Sequence, residues 1–582
     1  MKKERRPEPV DVDLVLVFPP FERLLVSMEN IGIGSIAASA RAAGFRCAII
    51  NAGLYGLSTG QVIEILRRSR FRVLGLSTIH WTMPAAIEIA RAVRSSHPHC
   101  HIILGGLEAA LDADRLLRTQ PCVDSIGLGE GERTVATLLR ALSESADWRG
   151  IPGLAYRDGA VVRRSRPAGL IAPLDDLPLP ARDDIAAVLA AGGPVSIGTS
   201  RGCPGRCSFC SVRAFYGVSE GPAWRGRSPR SIVAEMREIT DRYGAHLFSF
   251  VDETAMGPGP RGPARLAELA GLIRTSGLTP EFFMAVRADQ VEEPLFRELR
   301  SAGLRKVEVG LESMAPTQLK RFGKGTRVAD NRRALQILEK LGLAVEILMI
   351  PFDPGVTAGE LRTNLRFYRK RFQTGRSYDV APLSMGNYLC PYPGTGTRAV
   401  YERNGWLAGD GQVSFRALDA RLQKVGHALM RFIGSAEFVF PRSYMNLGNL
   451  WVNSAGLPAS VSDRIGGMCS ETGNLFLDFA EWALKITAGP QPIPIQEIGR
   501  LIDDLRRFLA RLQPLREELG ALVEAHANDR RPMPRGTSDL AKRLFLLARR
   551  RKRRILIEAS RAPDPYRIIT GILDALTRDA PS

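Results

Sequence analysis

The sequence predicts an α/β protein made of two successive strand–helix series and a helical C-terminal part. Short apolar runs alternate with amphipathic stretches from Asp13 to about Leu142, the alternation restarts at Ser196, and after about Trp406 only helical patterns remain. At 582 residues the chain has room for three or four domains.

In the first series, Leu14 to Phe18, Cys47 to Ile50, Val73 to Ser77, Ile102 to Leu104 and Ser125 to Leu128 read as strands. Ser35 to Ala43, Gln61 to Arg68, Ala85 to Val93 and Thr134 to Leu142 carry the apolar spacing of helices. Such alternation implies a parallel, doubly wound sheet, whose ligands sit at the carboxyl ends of the strands. Those ends are Phe18-Pro19-Pro20, Ser77-Thr78-Ile79-His80-Trp81, Gly105-Gly106-Leu107-Glu108 and Gly127-Leu128-Gly129-Glu130-Gly131-Glu132. Glycines there let the backbone approach a large ligand and turn sharply into a helix. This domain is taken as residues 1–155 and a linker as 156–194, with prolines fixing an extended path between Tyr156 and Asp184.

The second series, 195–410, places a cysteine loop after its first strand. Later strands read as Leu247 to Val251, Phe282 to Val286, Lys306 to Gly310, Val345 to Ile350 and Ser384 to Leu389. One helix opens at Ser228-Pro229, with proline at its first position, and another at Thr357-Ala358-Gly359-Glu360, a capping box. In residues 411–582, helices are expected over Ala417 to Ile433, Gly473 to Ile486 and Ile498 to Ala527.

The cysteine loop runs Gly198-Thr199-Ser200-Arg201-Gly202-Cys203-Pro204-Gly205-Arg206-Cys207-Ser208-Phe209-Cys210. Three close thiolates can hold three corners of a four-iron four-sulfur (4Fe-4S) cluster and leave the fourth iron open for chemistry. The alternative is a structural zinc site, which wants four ligands, usually as paired Cys-x-x-Cys sets. No second pair lies nearby, although the distant Cys390 or Cys469 could complete a tetrahedron. Both read more readily as small buried hydrophobes, and Cys47, Cys100 and Cys122 as structural.

The net charge of +19 invites a nucleic-acid or membrane reading, but 12 Lys and Arg stand against Asp539 and Glu558 between Arg530 and Arg561, so half the excess is local. Within it, Arg549 to Arg554 follow Leu544-Phe545-Leu546-Leu547, a basic helix that could dock peripherally on an anionic membrane, on RNA or on an acidic peptide substrate and reads first as a solvated helix face. The opening residues carry no secretory signal, and eight cysteines in a chain of this length fit a reducing cytoplasm.

The spacing Cys-x-x-x-Cys-x-x-Cys, with Phe209 before the third cysteine, resembles the signature of radical S-adenosylmethionine (SAM) enzymes. The double proline after the first strand, Gly105-Gly106 and Gly129-Glu130-Gly131-Glu132-Arg133-Thr134 resemble the cobalamin-binding domain that precedes the radical SAM core in one large subfamily. The Asp-x-His-x-x-Gly motif, by which many cobalamin domains give a histidine to cobalt, is absent, as is usual in that subfamily. The likeness extends from Asp13 to Trp406 and is strongest between Asp175 and Thr326.

This resemblance implies a flavodoxin-like cobalamin domain, a partial (βα)6 barrel of TIM type and a C-terminal segment that shapes substrate specificity. It implies that Cys203, Cys207 and Cys210 hold the cluster beside Phe209, that Asp252 and Glu253 bind the amino group of SAM, and that Arg287 balances its carboxylate. Glu312 and Ser313, in Gly310-Leu311-Glu312-Ser313, would contact SAM, with Lys324-Gly325-Thr326 following at the family's distance, and Ile350 would pack on adenine. Thr78, His80, Trp81, Gly105, Gly106, Gly129, Glu130, Gly131 and Glu132 would face cobalamin.

The implied activity is methylation of an unactivated carbon of a small molecule or natural-product precursor: one SAM methylates cobalamin, and another gives the 5'-deoxyadenosyl radical that takes a hydrogen atom. A flavodoxin or ferredoxin would supply electrons to a monomer. The alternative keeps both cofactors for a rearrangement or cyclisation. RNA modification fits poorly, because Cys47, Cys100 and Cys122 are too scattered to form the second cluster of RNA methylthiotransferases, and nucleic acid is not an expected partner.

Overall fold

The structure, a computed structural model, describes residues 10–20, 28–190, 193–373, 389–407, 419–434 and 459–488, with single helical residues between 496 and 510. Strands β1 (Leu14–Phe18), β2 (Cys47–Asn51), β3 (Val73–Ser77), β4 (His101–Gly105) and β5 (Ser125–Gly127) form a parallel sheet, extended by β6 (Leu154–Asp158) and β7 (Val161–Arg164) in the order β2-β1-β3-β4-β5-β6-β7. β1 to β4 are buried almost end to end, because helices cover both faces. Leu14 registers with both Cys47 and Val73, so the order reverses beside β1 and a crevice opens at the carboxyl ends of β1 and β3.

The expected linker begins with structure. Leu154–Arg164 is a hairpin turned at Gly159 (φ 60°), and Arg157 fastens it by donating to the carbonyls of Leu117, Gln120, Pro121 and Val123. Its polar sequence reads as a loop because it forms the sheet edge, where one face meets water.

The second sheet is parallel throughout, in the order β14-β13-β12-β11-β8, from β8 (Val195–Ile197), β11 (Leu247–Phe250), β12 (Glu281–Arg287), β13 (Leu304–Glu312) and β14 (Ala344–Met349). Val307, Val309, Val345 and Ile347 join a core against the helices, while the alternate residues, Lys306, Glu308 and Glu346, pair among themselves on the other face. The predicted sixth strand, Ser384 to Leu389, lies outside the described residues apart from its last residue.

Between β8 and β11, a short antiparallel ribbon of β9 (Ser200–Gly202) and β10 (Trp224–Gly226) carries the cysteine loop. Gly202 has φ 83°, and a Cβ there would stand 2.0 Å from the carbonyl oxygen of Ala223, so only glycine closes the ribbon.

Helix Pro229–Tyr243 begins on a Ser228 cap, whose hydroxyl accepts from the Ser231 amide at 3.2 Å. Helix Ala358–Gln373 begins on the reciprocal Thr357–Glu360 box, at 2.9 and 3.2 Å. Helices Ala420–Gly434 and Ala459–Ala488 pack on each other, and the latter on Ala358–Gln373, joining the barrel core. Most of Ile498 to Ala527, and all of Arg549 to Arg554, lie outside the described residues. Among the described residues no helix is long and apolar enough to cross a membrane.

Candidate functional site

The three cysteines are free thiols, each half-buried. Cys203 Sγ accepts from the Gly205 amide at 3.3 Å, and Arg287 Nη1 reaches Cys207 Sγ at 3.8 Å. A Cβ on Gly205 would meet both Cys203 Sγ (3.3 Å) and Arg287 Nη1 (3.0 Å), so the loop needs its glycine to close on the arginine. Burial holds the Cys203 thiol above its ordinary value and pushes Cys210 up to about 11. Metal must therefore displace protons from these sulfurs.

The loop is braced from outside. The Ser208 amide donates to the carbonyl of Phe322 at 2.8 Å, and the Thr397 amide to the carbonyl of Ser208 at 2.9 Å. The Phe209 ring meets Phe322 edge-on at 5.4 Å. Among the described residues no three His, Cys, Asp or Glu side chains are grouped to hold one ion. A zinc ion draws four ligands to about 2.0–2.3 Å, whereas each thiolate of a cluster serves its own iron. Cys390 does not complete a tetrahedron: it stands beside Tyr392 and feels the charge of Glu108.

The two neighbouring carboxylates have different positions. Asp252 is buried and spent inside the chain, accepting from the Thr199 amide and hydroxyl at 2.7 and 2.5 Å and from the Ser200 amide at 2.7 Å. Glu253 is exposed, accepts from the Gly202 amide at 3.0 Å and the Tyr216 hydroxyl at 3.2 Å, and has lone pairs to spare.

Arg287 is held by Asp289 at 2.9 and 3.0 Å and by the Lys324 carbonyl at 2.8 Å, which turns its remaining nitrogen toward the cysteines. Glu312, in the left-handed region at φ 61°, pairs with buried Lys324 at 2.8 Å. Ser313 is buried, donating to Asn364 and accepting from the Ala315 amide. Ile350 is half-buried, its amide on the carbonyl of Glu312 at 2.9 Å.

At the first sheet, Thr78 is buried and ties the tips of β3 and β4, donating to the carbonyl of Gly105 at 2.9 Å. Gly106 has φ 89°, and its Cβ would stand 2.5 Å from the Thr78 carbonyl oxygen, whereas nothing lies within 4 Å of a Cβ on Gly105. His80 Nδ1 lies 3.6 Å from Glu108 Oε1, and its ring meets Trp81 and Tyr392 edge-on. Trp81 is 63% exposed.

The Gly129–Glu132 turn faces the cysteine ribbon instead. A Cβ on Gly129 would stand 2.5 Å from Ser219 Oγ, and one on Gly131 would stand 3.1 Å from Ile36 Cδ1. Glu130 and Glu132 grip Arg201, at 2.8 and 2.5 Å, and Glu130 also holds Arg225 at 2.8 Å.

Residues 23–139 match the B12 binding domain, and residues 197–368 match the radical SAM superfamily. The chain therefore joins a B12 binding domain to a radical SAM domain. It is 27% identical to an uncharacterized methyltransferase of Pyrococcus horikoshii over 66% of this chain and 81% of that protein. To the hopanoid C-3 methylase of Methylococcus capsulatus it is 27% identical over 70% of this chain and 74% of that one. In architecture it is similar to the cobalamin-dependent S-adenosylmethionine radical enzyme OxsB, solved with aqua-cobalamin and SAM bound, with TM-score 0.68 and 17% identity over 98% of this chain and 84% of that chain.

A B12 binding domain followed by a radical SAM domain implies cobalamin, SAM and a 4Fe-4S cluster, and the residues present fit each of them. The free thiols beside Arg287 and Lys324 suit an anionic cluster, and Glu253 suits an ammonium. At the cobalamin crevice, among the described residues, buried Glu108 Oε2 has no hydrogen-bond partner and nothing lies within 4 Å of a Cβ on Gly105, while Trp81 is 63% exposed, which together suit a broad ligand rimmed by amides.

Arg201, Arg225, Glu108 and Tyr392 are absent from the residues predicted to bind cofactors. Arg201 carried a signal, since it stands two residues before Cys203. Arg225 carried none, because its partner lies 95 residues away.

Proposed function

We propose that the chain is a cobalamin-dependent radical SAM methyltransferase that places a methyl group on an unactivated carbon of a small molecule. The observation that carries this reading is the contact between the two halves: the turn after β5 of the cobalamin domain grips Arg201 on the strand leading into Cys203. Such a contact supports two cofactors working in one cavity.

When bound, the cluster supplies the electron that cleaves SAM to a 5'-deoxyadenosyl radical, and cobalamin carries a methyl group taken from SAM. The chain supplies position and charge. Cys203, Cys207 and Cys210 would hold the cluster, with Arg287 and Lys324 beside it to offset its negative charge. Glu253 accepts the ammonium of SAM, because Asp252 is occupied in bracing Thr199 and Ser200. Trp81, Gly105 and Glu108 line the side facing cobalamin. The uncharacterized methyltransferase among the relatives supports methyl transfer, and the hopanoid C-3 methylase supports carbon as the acceptor.

The test needs no substrate. Anaerobically reconstituted, cobalamin-loaded protein is incubated with methyl-labelled SAM and a reductant. S-adenosylhomocysteine and 5'-deoxyadenosine should both form, with label recovered on the corrinoid. Formation of 5'-deoxyadenosine alone would overturn methyl transfer in favour of a rearrangement or cyclisation.

A further inference from the structure

Ribbon β9–β10 places Arg201 opposite Arg225, two like charges side by side. Their side chains are 23% and 4% exposed, and the carboxylates that neutralise them, Glu130 and Glu132, are each 5% exposed. Arg201 uses both ends of its fork, Nη1 on Glu130 and Nη2 on Glu132. Arg225 Nη1 spans both oxygens of Glu130 and also donates to the carbonyl of Ile171 at 3.0 Å, while its guanidinium lies 5.2 Å over the Tyr216 ring. Tyr216 in turn donates to Glu253, which accepts from the Gly202 amide. A continuous set of polar contacts therefore runs from the Gly-Glu-Gly-Glu turn of the cobalamin domain to Arg201 and to the amide of Gly202, the residue preceding Cys203.

We propose that Arg201 is a positioning residue for the iron–sulfur cluster. Gripped by Glu130 and Glu132, it fixes the strand that leads into Cys203, so the placement of the cluster and of the SAM bound to it depends on the cobalamin domain. The Gly-Glu-Gly-Glu turn thus acts on the cluster side of the cavity through its carboxylates rather than on cobalamin. The inference rests on the reading above that both cofactors share one cavity.

The experiment compares the full chain with its Arg201→Gln and Arg201→Lys variants, each reconstituted anaerobically. Iron content, thermal stability and the electron paramagnetic resonance spectrum of the reduced cluster are measured during titration with SAM. Arg201→Gln should keep its iron while the spectrum responds to SAM with apparent affinity about tenfold or more weaker. Arg201→Lys should fall between, since one ammonium cannot serve two carboxylates as a planar fork does. If Arg201→Gln fails to fold, Arg201→Lys decides on the same reading. Variants that melt earlier yet keep the spectrum and SAM response of the unaltered chain would overturn the positioning role and leave the ion pairs holding only the fold. An unaltered chain whose assembled cluster ignores SAM would overturn the function reading, and this inference with it.

Discussion

At the carboxyl end of the second sheet, Arg287, Lys324, Glu312 and Asp252 each close on a partner within the chain. At the end of the first, Trp81 stands 63% exposed and, among the described residues, Glu108 has a buried oxygen without a partner and Gly105 has nothing within 4 Å of a Cβ placed on it. On the proposed function, the difference follows the size of what each end would receive. A compact cluster needs three sulfurs held still, which suits a braced loop. On the same proposal, a broad corrinoid rimmed with amides suits the exposed and unsatisfied groups at the end of the first sheet.

The braced end breaks first. Lys324→Ala leaves Glu312 buried without its cation and should destabilise the protein by about 3–5 kcal/mol, measured by urea unfolding under anaerobic conditions. Asp252 sharpens the same point through pH. Burial pushes its carboxyl up to about 6 from an ordinary 3.8, with the bonds from Thr199 and Ser200 offsetting only part of that rise. Between those values the folded chain holds a proton that the unfolded chain has lost, so this group's contribution falls as pH rises. It stays lower above about 6, by up to about 3 kcal/mol. Asp252→Asn should flatten the stability profile between about pH 4 and 6 relative to the unaltered chain, and a parallel profile in urea unfolding would remove Asp252 as the cause.

The open end gives smaller effects. Gly106→Ala puts a Cβ against the Thr78 carbonyl at a left-handed φ and should cost about 1–3 kcal/mol. Gly105→Ala meets nothing within 4 Å and should change stability by less than about 0.5 kcal/mol. The two melting temperatures, measured side by side, check the pair. Trp81→Ala should leave stability almost unchanged and weaken cobalamin retention on gel filtration; unchanged retention would remove Trp81 from the cobalamin side.

Much of the fold is legible because its signals are local. Leu14–Phe18 and Val73–Ser77 are apolar runs buried on both faces, and the Ser228 and Thr357–Glu360 caps lie within four residues of what they satisfy. The hairpin at Leu154–Arg164 escapes because its attachment is a side chain, Arg157, reaching carbonyls 34 to 40 residues back. In the site, the cysteine spacing and the acidic pair are legible as patterns. That Asp252 is occupied while Glu253 is exposed depends on Thr199 and Ser200, which only folding brings near. Glu130 and Glu132 stand out as a motif, yet their partner Arg201 lies 71 and 69 residues away, and pairing at that range leaves no trace in local sequence.

The central claim is that Cys203, Cys207 and Cys210 hold a cluster that cleaves SAM. Iron, sulfide and 5'-deoxyadenosine are to be measured in the anaerobically reconstituted protein and in a variant with all three cysteines changed to alanine. Iron and 5'-deoxyadenosine should disappear together in the variant; iron retained at the level of the unaltered chain would contradict a cluster on these cysteines.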